Sequence, residues 1–210
     1  MPLNLLLVED EPLTRTAVKS SLEAAGYQII GAFADVTSAV QELKKSKVDV
    51  VVLDIDLGTG PTGLDLAALI DRTGKPIGIV IMTSSVDPRL VRKSLPDVPS
   101  QAVYLIKEHV DSIEMITKAI DQAYQNVISG EEVKSRLKDL PLNDVQIETL
   151  RLVAQGLTNQ QIAKERFVTE KAVEYTISKI GEILDIQPNS TANQRVSIAR
   201  TYFQLRGIRL

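Results

Sequence analysis

The chain of 210 residues has no cysteine and a single histidine, His109. Without thiols there is no disulfide framework, zinc finger or ribbon, or cysteine nucleophile, and one imidazole excludes most histidine-based metal sites. Any metal must then lie among oxygen ligands. No apolar stretch reaches the roughly 18 residues of a membrane-spanning helix. The first ten residues end in Glu9-Asp10 and carry neither a basic region nor a small-residue cleavage site, so the expected compartment is the cytoplasm, with no membrane partner. A large excess of one charge is also missing: 24 Lys and Arg against 27 Asp and Glu leave a net charge of -3, which taken whole argues weakly against nucleic acid.

That average hides a split. Residues 1–126 hold 12 basic and 17 acidic side chains, net -5, whereas residues 127–210 hold 12 and 10, net +2. At 44% hydrophobic and 24% charged, the chain has the composition of an ordinary folded protein, long enough for two modest domains. The expected division is a first domain over 1–126, a polar linker over 127–139 and a second domain over 140–210.

Apolar runs rich in Val, Ile and Leu recur in the first part: Leu3 to Val8, Tyr27 to Phe33, Val48 to Leu53, Ile77 to Met82 and Ala102 to Ile106. Continuous rather than alternating apolarity marks strands buried on both faces. Segments of helical spacing lie between them, such as Leu13, Ala17, Leu22 and Ala25 closed by Gly26, and a last one carries Ile113, Ile116, Ile120 and Ala123. The expected fold is α/β, a doubly wound five-stranded parallel sheet in the order 2-1-3-4-5, followed by a small all-α domain. From Leu142 onward no strand pattern returns. Short helices are interrupted at Gly156-Leu157-Thr158 and Phe167-Val168-Thr169, the outline of a helix-turn-helix. Its third helix, Glu170 to Leu184, bears an apolar stripe of Val173, Ile177, Ile180 and Leu184. Lys171, Glu174, Tyr175, Ser178 and Lys179 are left on the opposite face for solvent or ligand.

Parallel strands bring their carboxyl ends to one rim, where the ends of the first, third, fourth and fifth read Glu9-Asp10, Asp54, Thr83 and Lys107. Clustered carboxylates repel one another, and a hard divalent cation such as Mg2+ relieves that repulsion. A carboxylate beside Mg2+ and an ammonium is suited to accept a phosphoryl group, since both cations neutralise charge on the transferring oxygens. Acidic residues that merely end strands in water are the plainer alternative for any one of them.

With these residues in view, Leu7-Val8-Glu9-Asp10 and Arg15, Val52-Leu53-Asp54-Ile55-Asp56, Met82-Thr83-Ser84 and Tyr104-Leu105-Ile106-Lys107, residues 1 to about 125 resemble the flavodoxin-like receiver domain of two-component response regulators. The resemblance implies that Asp54 accepts phosphate from a sensor histidine kinase, that Asp10 binds Mg2+ directly and Glu9 in the outer shell or through water, and that Asp56 offers its backbone carbonyl. Thr83 and Lys107 would contact the phosphoryl group, with Thr83 and Tyr104 as a switch pair; Tyr104 as a plain core aromatic stays open. Glu108 follows Lys107 where receivers commonly have proline. Ser94-Leu95-Pro96-Asp97-Val98-Pro99 replaces a common Gly-Ala segment, so the helix between the fourth and fifth strands is expected to end early. His109, beside the lysine, reads as a solvent-facing residue rather than a phosphorelay histidine.

The run Glu148 to Ala163, with Gly156-Leu157-Thr158 at its turn and Ile162-Ala163 at its end, is followed by Thr169-Glu170-Lys171-Ala172-Val173. Together they resemble the LuxR-type helix-turn-helix of the NarL/FixJ class. This implies a DNA-binding transcriptional regulator rather than an enzyme, dimeric when phosphorylated, with Thr158 and Asn159 at phosphates and the face of Lys171, Glu174, Tyr175, Ser178 and Lys179 toward double-stranded DNA. Glu174 stands where lysine is usual, so it either repels DNA or accepts from cytosine. Val145-Gln146 replaces a common Arg-Glu, and the loop from Gln187 to Asn193 is long. In the last helix, Val196, Ala199 and Phe203 with Arg195, Arg200 and Arg206 form either a dimer surface or a packing face. A helical module that binds protein instead of DNA is the alternative output.

Overall fold

The computed structural model describes residues 2–92, 94–129, 140–186 and 193–208. Most of the expected linker, residues 130–139, and the loop residues 187–192 lie outside them. The chain divides into two compact units: Met1–Ser84 with Leu95–Leu137, and Ser85–Ser94 with Lys138–Leu210. Neither unit is one continuous stretch, which differs from a simple succession of two domains.

In the first unit, strands β1 (Asn4–Val8), β2 (Gln28–Phe33), β3 (Val50–Leu53), β4 (Gly78–Thr83) and β5 (Val103–Ile106) form one parallel sheet in the order β2-β1-β3-β4-β5. Apart from Asn4 and Thr83 at their ends, the central strands carry no polar side chain because helices cover both faces: Leu5 to Val8 and Val50 to Leu53 are essentially inaccessible. Helices α1 (Pro12–Ala24) and α4 (Ile113–Ser129) close one face over Leu5, Leu7, Val50, Val52, Val80 and Met82. Of the expected α1 stripe only Leu22 is buried, while Leu13 is 78% exposed, so the buried face of that helix differs from the one its apolar spacing predicts. Pro12 begins α1, its missing N–H being one the first turn cannot use. Asp35 caps α2 (Val36–Leu43) by accepting from the Ser38 amide at 2.9 Å, and α3 (Gly63–Thr73) opens on a reciprocal Thr62–Asp65 capping box.

The helix expected between β4 and β5 is not merely shortened. Among the described residues, the only helical element there is a 3-10 turn, Pro88–Leu90, capped by Asp87. Pro96 and Pro99 bar a helix from continuing, and residues before proline are pushed toward extended conformations. The turn belongs to the second unit.

That unit is helical: α5 (Asp144–Ala154), α6 (Asn159–Arg166), α7 (Glu170–Ile183) and α8 (Gln194–Leu205). Each begins on a side-chain cap. Asn143 pairs reciprocally with Gln146, so the glutamine in place of a common glutamate still completes a capping box; Thr158 does the same with Gln161, and Thr169 accepts from the Ala172 amide. Phe167, at φ 55°, ends α6 in a left-handed conformation and turns the chain into α7 with its ring 95% exposed. The α7 stripe falls as expected, with Val173 and Ile180 fully buried, Ile177 nearly so and Leu184 packed at the edge. In α8 the buried residues are Ile198 and Tyr202; Phe203 packs partly against the core, Ala199 is half-buried and Val196 is exposed.

Candidate functional site

The carboxyl ends of β1, β3 and β5 converge as parallel pairing requires. The Lys107 Nζ lies 2.6 Å from Glu9 Oε2 and 2.7 Å from Asp54 Oδ2. Glu9, Asp10 and Asp54 each offer a carboxylate oxygen within 4.8 Å of the others. Glu9 and Asp54 are buried and Asp10 is exposed, so the cluster has a dry floor and a wet mouth. Arg15 fixes the β1–α1 turn, donating to the backbone carbonyls of Glu9 at 2.6 Å and Asp10 at 3.1 Å. At β3, the Asp54 amide donates to the Val8 carbonyl at 2.9 Å and the Asp56 amide donates to Asp54 Oδ1 at 3.3 Å. The start of α3 presses on the end of β3 so closely that a Cβ on Gly63 would lie 1.9 Å from the Asp54 carbonyl oxygen.

The charges are interdependent. Burial raises the Glu9 carboxyl above its ordinary range, partly offset by its hydrogen bond to Lys107. Burial alone would lower the Lys107 ammonium, but Asp54 and Glu9 outweigh it and hold the group charged. A cation is therefore fixed against two desolvated carboxylates at the mouth of the sheet. Thr83 is buried at the end of β4. It pairs with Ile106 in the β4–β5 register and Tyr104 pairs with Ile81, so Thr83 and half-buried Tyr104 share one sheet face. Asp56 is half-buried, and its side chain is outside the three-carboxylate cluster. His109 is exposed in a 3-10 turn, Lys107–His109.

In the second unit, Lys171, Glu174, Tyr175 and Ser178 are exposed on α7, and Lys179 is half-buried. Lys179 donates to Glu182 Oε2 at 2.6 Å, and its Nζ lies 5.8 Å from the centre of the Tyr175 ring. Thr158 Oγ1 caps α6, and Asn159 Oδ1 accepts from Arg195 Nη1 at 2.6 Å. Neither the Thr158 hydroxyl hydrogen nor the Asn159 carboxamide N–H groups take part in these two bonds. Arg195, expected on the α8 surface, also donates to the Leu157 carbonyl and so ties α8 to the α5–α6 turn.

Residues 5–120 match the family described as the response regulator receiver domain. The chain belongs to this receiver family. Residues 141–192 of the response regulator match the luxR family of bacterial regulatory proteins. Among similar proteins, the nitrate/nitrite response regulator protein NarP of Escherichia coli K12 is 27% identical over 219 residues, covering 98% of this chain and 97% of its own. The transcriptional regulatory protein LiaR of Bacillus subtilis 168 is 28% identical over 205 residues, covering 90% and 94%. The DNA-binding transcriptional activator EvgA of E. coli K12 is 24% identical over 189 residues, covering 87% and 92%. A solved structure of two RcsB dimers bound to two parallel DNAs aligns with a TM-score of 0.58 at 18% identity, covering 98% of this chain and 99% of its own; this likeness shows the fold.

Two residues of this response regulator, Asp87 and Arg89, take roles that their sequence neighbourhood does not mark. Buried Asp87 accepts from the Arg89 backbone amide at 2.9 Å and its guanidinium at 2.7 Å, and Arg89 also donates to the Leu142 carbonyl and to Asp144 Oδ1, both at 3.0 Å. Asp87-Pro88 was legible as a helix-start signal. That the turn would serve the second unit was not, because nothing local distinguishes the two cores. No helix among the described residues is long and apolar enough to cross a membrane.

Proposed function

We propose that this chain is a phosphorylation-controlled DNA-binding transcriptional regulator of the cytoplasm, taking a phosphoryl group on Asp54 from a sensor histidine kinase. The observation that carries the reading is the Lys107 ammonium at 2.6 and 2.7 Å from Glu9 and Asp54, beside Asp10. The donor set suits a hard divalent cation: three carboxylates near one another, one of them exposed, to which the Asp56 backbone carbonyl would add a further oxygen as the receiver resemblance implies. Mg2+ held by Asp10 and Asp54, with Glu9 in the outer shell, would supply charge neutralisation on the phosphoryl oxygens. Asp54 provides the attacking carboxylate oxygen, which bonds to phosphorus as the donor's bond to it breaks. Lys107 stabilises the added negative charge, and Thr83 donates its hydroxyl to a phosphoryl oxygen. With Thr83 drawn toward the phosphoryl group, Tyr104 on the same face responds as the second half of the switch. Self-phosphorylation and dephosphorylation at Asp54 are regulatory chemistry, not turnover of a metabolite.

The output is double-stranded DNA, read from α7 by Lys171, Glu174, Tyr175, Ser178 and Lys179, with Thr158 and Asn159 at phosphates. Relatives named as transcriptional regulators over nearly the whole chain support this. A homodimer formed on phosphorylation supplies the two-fold symmetry that a palindromic site requires. The Lys179–Glu182 pair and the exposed Glu174 favour a second reading, a module that binds protein. Labelling with a small phosphodonor tests the pocket. The parent should label only with Mg2+ and Asp54→Asn should not label at all; equal labelling of both, or indifference to chelation, would show the acidic pocket misread.

A further inference from the structure

The second unit is completed by a piece of the sheet domain's own connection. Leu90 is fully buried in the helical core with Leu150, Ile162 and Ile198, and Val86 packs against its edge. The Val86 amide donates to the carbonyl of Leu205 at 3.0 Å, at the end of α8, and the Tyr202 hydroxyl donates to the Leu90 carbonyl at 3.0 Å. At the other side, Asp87 Oδ2 accepts from the Leu140 amide at 3.3 Å, while Arg89 reaches the Leu142 carbonyl and Asp144 at the start of α5. The segment from Ser85 to Leu90 is thus held at both ends of the helical unit. It stands where the sheet would otherwise have its own helix after β4.

Thr83 ends β4, and only Ser84 and Ser85 separate it from Val86. Three residue steps span at most about 11 Å when fully extended. The strand end beneath the carboxylate pocket and the helical core therefore share a few peptide bonds with little slack. We propose that Ser85–Leu90 is an intramolecular coupling segment: it completes the helical unit in the resting chain, and occupation of the Asp54 pocket draws it out, loosening the start of α5 and the end of α8. This rests on reading Asp54 as the phosphoryl acceptor. The residues it would release are Leu90 from the core and the Asp87–Arg89 pair from Leu140, Leu142 and Asp144.

The test is hydrogen exchange by mass spectrometry on the full chain with Mg2+, with and without beryllofluoride, beside a fluorine NMR spectrum that reports bound fluoride. With fluoride bound, amides at the start of α5 and the end of α8 should exchange about tenfold faster while those of β1 and β3 do not. Leu90→Ala should bind fluoride yet exchange fast at α5 and α8 in both states, so that the difference disappears. If that variant does not fold, Tyr202→Phe, which removes only the bond to the Leu90 carbonyl, should narrow the difference. Bound fluoride with unchanged exchange at α5 and α8 in the parent would overturn the coupling alone. Absence of bound fluoride would overturn the reading of the pocket and the coupling with it.

Discussion

Lys107 illustrates how a single side chain sets the chemistry of a rim. Its ammonium offsets two carboxylates that the sheet has removed from water, and deleting one partner of a buried ion cluster typically costs about 3–5 kcal/mol because the others remain uncompensated. Lys107→Ala should therefore lower the urea midpoint of the sheet unit, with the loss at the low end of that range since the lysine is partly exposed. Added Mg2+ should raise the variant's midpoint by more than the parent's, because the cation replaces the missing charge; equal shifts would mean the metal does not reach this cluster. A second residue gives a pH signature. Burial, with a hydrogen bond to Asp121 at 3.1 Å, pushes the Tyr27 phenol up to about 12 from its ordinary 10. The folded state then holds the phenolic proton more tightly than the unfolded state, so this contribution is intact below pH 10 and is lost as pH rises toward 12. The parent should lose stability across that window more steeply than Tyr27→Phe, and parallel curves would remove Tyr27 from the account.

Among the elements, α3 shows how a helix start holds the strand that ends at Asp54. Thr62 and Asp65 close a capping box, and Gly63 lets the first turn approach the Asp54 carbonyl to a distance no side chain allows. In Gly63→Ala either α3 or the end of β3 must move, an overpacking that typically costs about 1–3 kcal/mol. The expected outcome is a lower melting temperature with phosphodonor labelling of Asp54 slowed more than the stability loss alone explains. Unchanged labelling would show that α3 does not position the acceptor. This contact was invisible in the sequence, because Asp54 and Gly63 are brought together only when α3 packs on the end of β3. The caps of α5, α6 and α7 were legible in principle, since a short polar residue before an apolar stripe is a local signal. The true buried face of α1 was not, because Leu13 and Leu22 are equally apolar and only packing separates them.

For the whole molecule, the charge split between the two halves bears on DNA. Few cations face outward from α7, and Lys179 already pairs with Glu182, so the salt dependence of DNA binding should be shallow, at about 0.9 in log–log slope per phosphate neutralised. If the protein dimerises as proposed, the second subunit must then supply much of the affinity. Glu174→Lys separates the two readings of that glutamate: uniform tightening on all sequences means it only repels phosphate, whereas loss of preference at one base pair, worth about 1–3 kcal/mol, means it reads cytosine. If neither form binds DNA at low salt as a phosphorylated dimer, the module binds protein instead.

The sheet and its rim follow from the order of residues along the chain. A continuous apolar strand must be buried on both faces, right-handed crossovers narrow the strand order to a few choices, and strand ends that share one direction bring Glu9, Asp10, Asp54, Thr83 and Lys107 to one edge. That order likewise sets the inward stripe of α7, because residues 173, 177, 180 and 184 share a face whatever surrounds them. Packing was needed to settle where Val86 and Leu90 are buried, which face of α1 and α8 turns inward, and which lysines and arginines are already engaged. Hydrophobic burial is non-directional, so an apolar residue between two cores carries no label for either. The partner of a long charged side chain is likewise fixed only when the backbone has placed both ends, which is why Arg89 and Arg195 became legible as structural ties only in the folded chain.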